Sequence, residues 1–408
     1  MNQDIKINKP TILLCWGYTR GGWVEPFEKL KEHFNFVYLY YISEPQKDIR
    51  FTTSHVIYWG DFDSPMAILE RLKPEKVIFM GICSGYSIAL NIACRAAGVT
   101  TYICQHGIAQ NYQVYRKVEK SSKKFRTQID KNNLQQPRDI KTKGSSVKFI
   151  TSVLSKITVT EIAKLFLFLL ILQREGKFLA ARLLRFRSRM PDYYICYSEK
   201  NAEIYFTLDK ANPDKFFYIG TPEYDKIFTN TSASSPFAFK YYLLIDQPLA
   251  SNQYFSVGIS TGQMNGFYQK LADFCSNKGS KLVVKLHPEN YNDTWLVKNP
   301  NIVYVKDDKD IVDLIKGAEG CFGTFSTLLI PAIYFKPTII FRLLGSAIQE
   351  HLIRLKVTSG LDFFSFKPED IDFNRVCKTG SQCPEFIKDY FYKDDGKATE
   401  RLAEVLAS

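Results

Sequence analysis

Residues 76–107, KVIFMGICSGYSIALNIACRAAGVTTYICQHG, read as a strand, a glycine-bearing turn, a helix and a second strand. The run 76–80 is apolar and has the length of a strand covered on both faces. Residues 87–97 carry helical periodicity and stop at Gly98. The run 101–104 is the next strand, and Gln105-His106-Gly107 turns the chain at its carboxyl end. A strand that returns to its neighbour through a helix makes a parallel pair, so this stretch predicts a doubly wound α/β sheet.

The same alternation extends in both directions. Upstream, residues 11–16 (TILLCW), 36–42 (FVYLYYI) and 55–59 predict strands. Downstream, 193–197 (YYICY) and 216–219 (FFYI) continue the pattern, and 229–236 (TNTSASSP) breaks it as a linker. A second block then begins, with strands over 241–245, 281–286, 302–305 and 320–322 and helices over 267–278, 308–316 and 326–335. Two alternating blocks in 408 residues suit two domains of about 200 residues each. The expected architecture is two Rossmann-like domains, 1–230 and 236–390, with ligands in an interdomain cleft at the strands' carboxyl ends. Residues 391–408 are expected to form a helix that packs back onto the first domain.

Composition narrows the class. Net charge is +12, but residues 116–189 hold 19 Lys/Arg against 5 Asp/Glu, so the rest of the chain is about neutral. A localised basic block calls for an acidic partner surface. The block has no zinc, helix-turn-helix or RNP pattern, which argues against nucleic acid. Residues 149–189 read as one helix in which the apolar run 165–172 (LFLFLLIL) is flanked by Lys and Arg. That run is too short to span a bilayer but suits an interfacial helix on anionic lipid. On this reading Leu165, Phe166, Leu169 and Leu172 enter the acyl boundary, and Arg182, Arg185 and Arg189 share one face. The alternative is an ordinary buried helix with a solvated flank. Nine cysteines without a CxxC pair read as reduced thiols. The opening residues lack a secretory h-region, so the expected place is the cytoplasm, peripheral at the inner face of the membrane.

Two motifs in the second block carry chemistry. Lys285-Leu286-His287-Pro288-Glu289 ends a strand, because Pro288 cannot extend the ladder. His287 then stands at the sheet's carboxyl edge, where an imidazole can bond a phosphate or protonate a leaving group. Gly323-Thr324-Phe325-Ser326-Thr327 lies between a short strand and a helix. Hydroxyls there either cap the helix or, with its free N–H groups, hold an anion. In the first block, His106 stands at a strand end, and Gly220-Thr221-Pro222-Glu223-Tyr224-Asp225 precedes the linker. Residues 17–23 (GYTRGGW) and Gly81-Ile82-Cys83-Ser84-Gly85 offer a rival reading, an oxyanion loop and a nucleophile elbow with Cys83. The plain alternative is that both are the turns any parallel sheet requires.

The joint order of these motifs resembles bacterial GT-B glycosyltransferases of surface-polysaccharide synthesis. The HP strand end, the Ser/Thr turn and KPTIIF (336–341) are similar to sialyltransferases, polysialyltransferases and Kdo transferases. LLIDQPLA (243–250) looks like the opening strand of the sialyltransferase C-domain, and QHG resembles the HG motif of CDP-glycerol transferases. The resemblance covers roughly residues 100–345. It implies transfer of a sialic acid or Kdo type sugar from a CMP donor, with inversion and without metal or other cofactor. His287, Pro288, Glu289, Gly323, Thr324, Ser326 and Thr327 would bind the donor nucleotide and phosphate. His287 would also assist departure, and His106 would be the base. Gly21, Gly22 and Glu25 would stand on the acceptor side. The sialyltransferases' acidic D/E-D/E-G motif is missing from the first block. Asp394-Asp395-Gly396 lies elsewhere, which leaves Glu25, Asp61 and Asp63 as carboxylate rivals to His106. The partners implied are a nucleotide-sugar, a glycan or lipid-linked acceptor, and an anionic membrane surface. Transfer of a polyol phosphate from a CDP donor is the alternative within transferases.

Overall fold

Apolar runs of four to six residues need cover on both faces, and parallel sheets flanked by helices supply it. The computed structural model describes residues 9–15, 21–40, 55–109, 111–117, 119–120, 143–229, 235–250, 259–343 and 346–408. Its strands form two sheets in which every pair is parallel. The chain divides into two compact units. Met1–Ala109, Leu134–Glu223 and Lys397–Ser408 form one; Gln110–Asn133 and Tyr224–Gly396 form the other.

The first unit holds seven strands: β1 (Thr11–Cys15), β2 (Asn35–Tyr40), β3 (His55–Tyr58), β4 (Lys76–Phe79), β5 (Thr100–Cys104), β6 (Tyr193–Cys196) and β7 (Phe216–Tyr218). Their spatial order is β3-β2-β1-β4-β5-β6-β7, so the winding reverses between β1 and β4. Helix Gly85–Ala96 starts where the sequence stops being apolar: Ser84 and Ser87 close a capping box over its first turn. Helix Ala398–Ala407 belongs to this unit. Its Leu402, Val405 and Leu406 pack into the same core as Ile12, Leu14 and Tyr38. Arg401 Nε donates to Ile219 O at 2.8 Å, and Lys76 Nζ donates to Leu406 O at 2.8 Å.

Between β5 and β6 the chain makes a helical excursion. The single helix expected over 149–189 is instead several pieces: Lys143–Thr151, Val159–Glu175, Lys177–Leu183 and a 3-10 turn at Arg187–Arg189. Gly176, at φ 103°, makes the break; an L side chain would strain there. The expected arginine face therefore does not exist. Arg185 reaches the end of helix Glu199–Asp209, donating to Leu208 O at 3.0 Å and Thr207 O at 3.2 Å. Arg189 is buried, ion-paired with Asp209 and placed over the Phe168 ring. Leu165 is buried too, so it does not belong to an outward face. Residues 121–142 of the basic block, 17–20 of the glycine loop and most of the 229–236 break lie outside the described residues.

The second unit holds β8 (Tyr241–Ile245), β9 (Lys281–Lys285), β10 (Ile302–Val305), β11 (Cys321–Gly323), β12 (Thr338–Arg342) and β13 (Ser359–Asp362). The order β10-β9-β8-β11-β12-β13 reverses between β8 and β11. Helix Thr261–Asn277 covers one face, capped by Ser260 and Gln263, and buries Met264, Phe267, Tyr268 and Leu271. The core beneath it is aromatic, with Phe267, Phe322, Phe341, Phe363 and Phe366 in mutual contact. All nine cysteines are free.

Candidate functional site

In a doubly wound sheet the crevice opens at the carboxyl ends of the strands where the order reverses. In the second unit that point lies between β8 and β11. Asp246 follows β8, Thr324 follows β11, and His287 follows β9 one strand further out.

Asp246 is the organiser, and its role was not read from the sequence. It is buried and accepts from Tyr268 OH at 2.9 Å and Asn290 Nδ2 at 2.8 Å. It also takes the backbone N–H groups of Gln247 and His287. Asn290 closes the 3-10 turn Pro288–Asn290, so one carboxylate grips both ends of the His-Pro turn. His287 Nδ1 accepts from Glu289 N at 3.3 Å. An acceptor at Nδ1 makes the neutral ring the Nε2–H tautomer. Lys285 is turned to Asp307, at 2.9 Å, and to Tyr291 OH, at 3.2 Å. Pro288 and Glu289 are exposed on the turn.

Burial lifts the Asp246 carboxyl from 3.8 to about 6, against the hydrogen bonds that lower it. A pKa raised in the native state stabilises fully below the unfolded value and is lost as pH rises through the native one. Wild-type stability, measured against Asp246→Asn, should therefore fall by on the order of 2–3 kcal/mol from about pH 4 to pH 7. Denaturant titrations of both proteins across that range check it; parallel curves would show that Asp246 ionises normally.

The hydroxyl turn differs from its expectation. The helix begins at Leu329, not Ser326, and no side chain caps it. The Ser326 hydroxyl instead accepts from Leu328 N at 3.3 Å, and Thr327 is exposed. Gly323 serves packing: a Cβ there would meet Leu329 Cδ2 at 2.5 Å. Thr324 is buried, and its Oγ1 has no hydrogen-bond partner among the described residues. Two side chains hold this turn. Gln349 Nε2 donates to Thr324 O, and Tyr224 OH donates to Thr327 O at 2.7 Å. Gln349 Oε1 is likewise buried and unbonded. Gln349 and Asn290 carry no local sequence signal; Tyr224 sits in the GTPEYD stretch, to which no role was assigned.

In the first unit His106 follows β5. Gln105 fixes the turn, with Nε2 donating to Gly107 O and Asn201 Oδ1, both at 2.8 Å, and Oε1 accepting from Tyr197 N at 3.0 Å. Gly107 takes φ 65°, a left-handed conformation suited to glycine. His106 lines a pocket with Pro26, Phe27, Tyr197, Pro222, Glu223 and Leu402. Burial first, and then the Lys177 charge, lower its pKa to about 4. The ring is therefore neutral near pH 7, in the form that accepts a proton. Glu223 is the carboxylate of this pocket. The expected rivals stand elsewhere: Glu25 pairs with Lys29 at 3.1 Å, Asp61 accepts from Tyr58 N at 3.1 Å, and exposed Asp63 lies 3.8 Å from Lys148 Nζ. Gly21 and Gly22 open helix Gly21–Glu28.

Asp394-Asp395-Gly396 is a turn in the second unit, with Asp394 accepting from Tyr334 OH at 2.9 Å and Gly396 at φ 69° against Asp225 O. The Cys83 elbow is also corrected. A nucleophile elbow strains its central residue, whereas Cys83 is not among the positive-φ residues and leads into the Ser84 cap. One group of metal-ligand type occurs among the described residues, His351, Glu385 and Asp389. Both His351 nitrogens are engaged, Nε2 with Asp389 at 2.8 Å and Nδ1 with Arg354 at 2.6 Å.

Comparison with known proteins gives three findings. The model of the alpha-2,8-polysialyltransferase family matches residues 62–344, more than half of the chain. No curated protein matches. Among solved structures, the chain is similar to the glycotransferase of kitacinnamycin, at TM-score 0.55 and 11% identity over 98% of each chain. It is similar to the spinosyn forosaminyltransferase SpnP, at 0.52 and 11%, over 98% of this chain and 100% of that one. It is similar to the wall teichoic acid polymerase TagF, at 0.51 and 12%, over 98% of this chain and 88% of that one. At such identities these likenesses show the fold, the two-sheet GT-B architecture.

Proposed function

The chain belongs to the alpha-2,8-polysialyltransferase family, and from that premise we propose that it moves a sialic-acid-type sugar from a CMP donor onto a bacterial surface glycan. It is a glycosyltransferase; its partners are a nucleotide-sugar donor and a glycan acceptor. The observation that carries the finer reading is the unbonded Thr324 hydroxyl at the sheet's reversal point, one residue past β11. A buried hydroxyl without a partner costs free energy until something fills its hydrogen bond. A donor phosphate supplies that acceptor.

The residues divide the reaction. His287 Nε2–H and Thr324 Oγ1–H bond the departing nucleotide's phosphate as the bond from the anomeric carbon to its oxygen breaks. Neutral His106 takes the proton of the acceptor hydroxyl as the new bond from that oxygen to the anomeric carbon forms, with inversion. The negative charge of the bound donor raises the basicity of the imidazole in the complex. Charge on the phosphate is met by donors rather than by a metal. The acceptor is lipid-linked, and the enzyme works in the cytoplasm at the membrane's inner face.

Incubation with CMP-sialic acid, CMP-Kdo and CDP-glycerol, each with product analysis, tests the reading. Transfer from CMP-sialic acid alone supports it. Turnover of CMP-Kdo moves the sugar, and turnover of CDP-glycerol replaces the reaction by polyol-phosphate transfer. Thr324→Val gives a sharper outcome. The hydroxyl has no hydrogen-bond partner among the described residues, so thermal stability should hold or rise. CMP affinity should fall about 10–100-fold, the loss of one hydrogen bond to a charged group. Calorimetric titration with CMP checks it; unchanged affinity in a folded variant would take the hydroxyl out of donor binding.

A further inference from the structure

We propose that the outward face of helix Val159–Glu175 is an interfacial anchor that lies flat in the headgroup layer of an anionic bilayer. Eight large apolar side chains are prominently exposed among the described residues, and six lie between 147 and 183. Four share this helix: Val159 at 82%, Phe166 at 51%, Leu167 at 46% and Leu170 at 43% exposure. With Ala163 they recur at three- and four-residue steps and span an arc of about 100°. The opposite side is what the fold uses. Leu165 and Phe168 are fully buried, and Glu161 accepts from Ser188 N at 3.0 Å. The helix is about 25 Å long, and no helix among the described residues is long and apolar enough to cross a membrane.

Charge selects the occupant. Residues 143–189 hold ten Lys/Arg against two Glu, a net of +8 in a chain of +12. Lys148, Lys156, Lys164, Arg174, Lys177 and Arg182 are all exposed around the apolar stripe. A second copy of this face would bring like charges together. The neighbouring stretch 121–142, with six Lys/Arg against two Asp, has the same sign. Anionic lipid offers both an acyl boundary for the stripe and negative headgroups for its rim.

The inference rests on the membrane partner named above but not on the donor chemistry. Phe166→Trp full-length protein is mixed with vesicles of phosphatidylglycerol and phosphatidylcholine, or of phosphatidylcholine alone. A blue-shifted emission quenched by brominated lipid, with anionic vesicles only and weakened by salt, is the expected result. Leu167→Ser with Leu170→Ser should lower vesicle partitioning at least tenfold while circular dichroism and transfer to a soluble acceptor stay unchanged. Failure of folded wild-type protein to sediment with anionic vesicles overturns the proposal. So does a stripe variant that changes the oligomeric state in light scattering but not vesicle binding, which gives the face to a second copy. Vesicle binding without sugar transfer would leave this proposal standing and remove the functional one.

Discussion

Replacing His287 with alanine is expected to lower turnover by about 10²–10⁴, the range for a lost acid or charge-stabilising donor. The fold should survive. The Asp246 bond to residue 287 runs through the backbone N–H, which alanine keeps, and Asn290 and Tyr268 still hold the carboxylate. The Nδ1 contact to Glu289 N is lost, and it holds an exposed turn rather than the core. Because the role is assigned to the leaving group, the loss should fall on kcat more than on donor KM. His287→Asn keeps a donor and should recover part of the rate. Steady-state kinetics with thermal melting decide it. A folded His287→Ala protein with near-normal kcat removes the imidazole from the chemistry.

Arg189→Ala is the second large effect, and it falls on stability. The guanidinium is buried with Asp209, whose other oxygen accepts from Tyr194 OH at 2.8 Å. Removing the arginine leaves a buried carboxylate with one neutral donor, a loss of about 3–5 kcal/mol. In a unit of this size that lowers the melting temperature by roughly 10 °C. Asp209→Asn in the same protein should restore part of it, because the orphaned charge goes too. A melting temperature within a degree or two of wild type would show that the pair is solvated. The sequence reading placed the same residue on one lipid-side face with Arg182 and Arg185. Arg185 and Arg189 instead hold helix Glu199–Asp209 and its neighbours together, so reversing them tests folding.

That correction marks where the sequence is legible. Strands were readable because a parallel sheet buries both faces, so TYIC, the LVV of KLVVK and TIIF appear as apolar runs. Their helices were readable by periodicity but not at their starts: the helix expected over 87–97 begins at Gly85 behind Ser84, and the one expected over 267–278 begins at Thr261 behind Ser260. His106 and His287 were findable because each follows a run that must end at the sheet's carboxyl edge. Residues 149–189 failed because apolar periodicity gives no direction: Leu165 faces the core and Phe166 faces out, one residue apart. The helix breaks at Gly176, at φ 103°, a position the sequence reading did not mark. Asp246 had a signal, a carboxylate immediately after YYLLI, where ionisation is costly unless something is held. Gln349 had none, since its contact to Thr324 spans 25 residues and depends on the packing of helix Ala347–Arg354.

The helix Ala398–Ala407 bears on how the chain is made. Lys76 and Leu406 are joined by a hydrogen bond across 330 residues, and Leu402 fills a core begun by Ile12. On a translating ribosome, the first unit is synthesised long before its last structural element emerges. Its sheet must wait, with the patch destined for Leu402, Val405 and Leu406 uncovered, while the second unit's own core assembles. Closure is then a late event of high contact order, set by the emergence of residues 398–407. A ribosome that stalls anywhere in the second unit leaves a first unit with an open apolar surface, the kind of intermediate that chaperones hold and proteases clear.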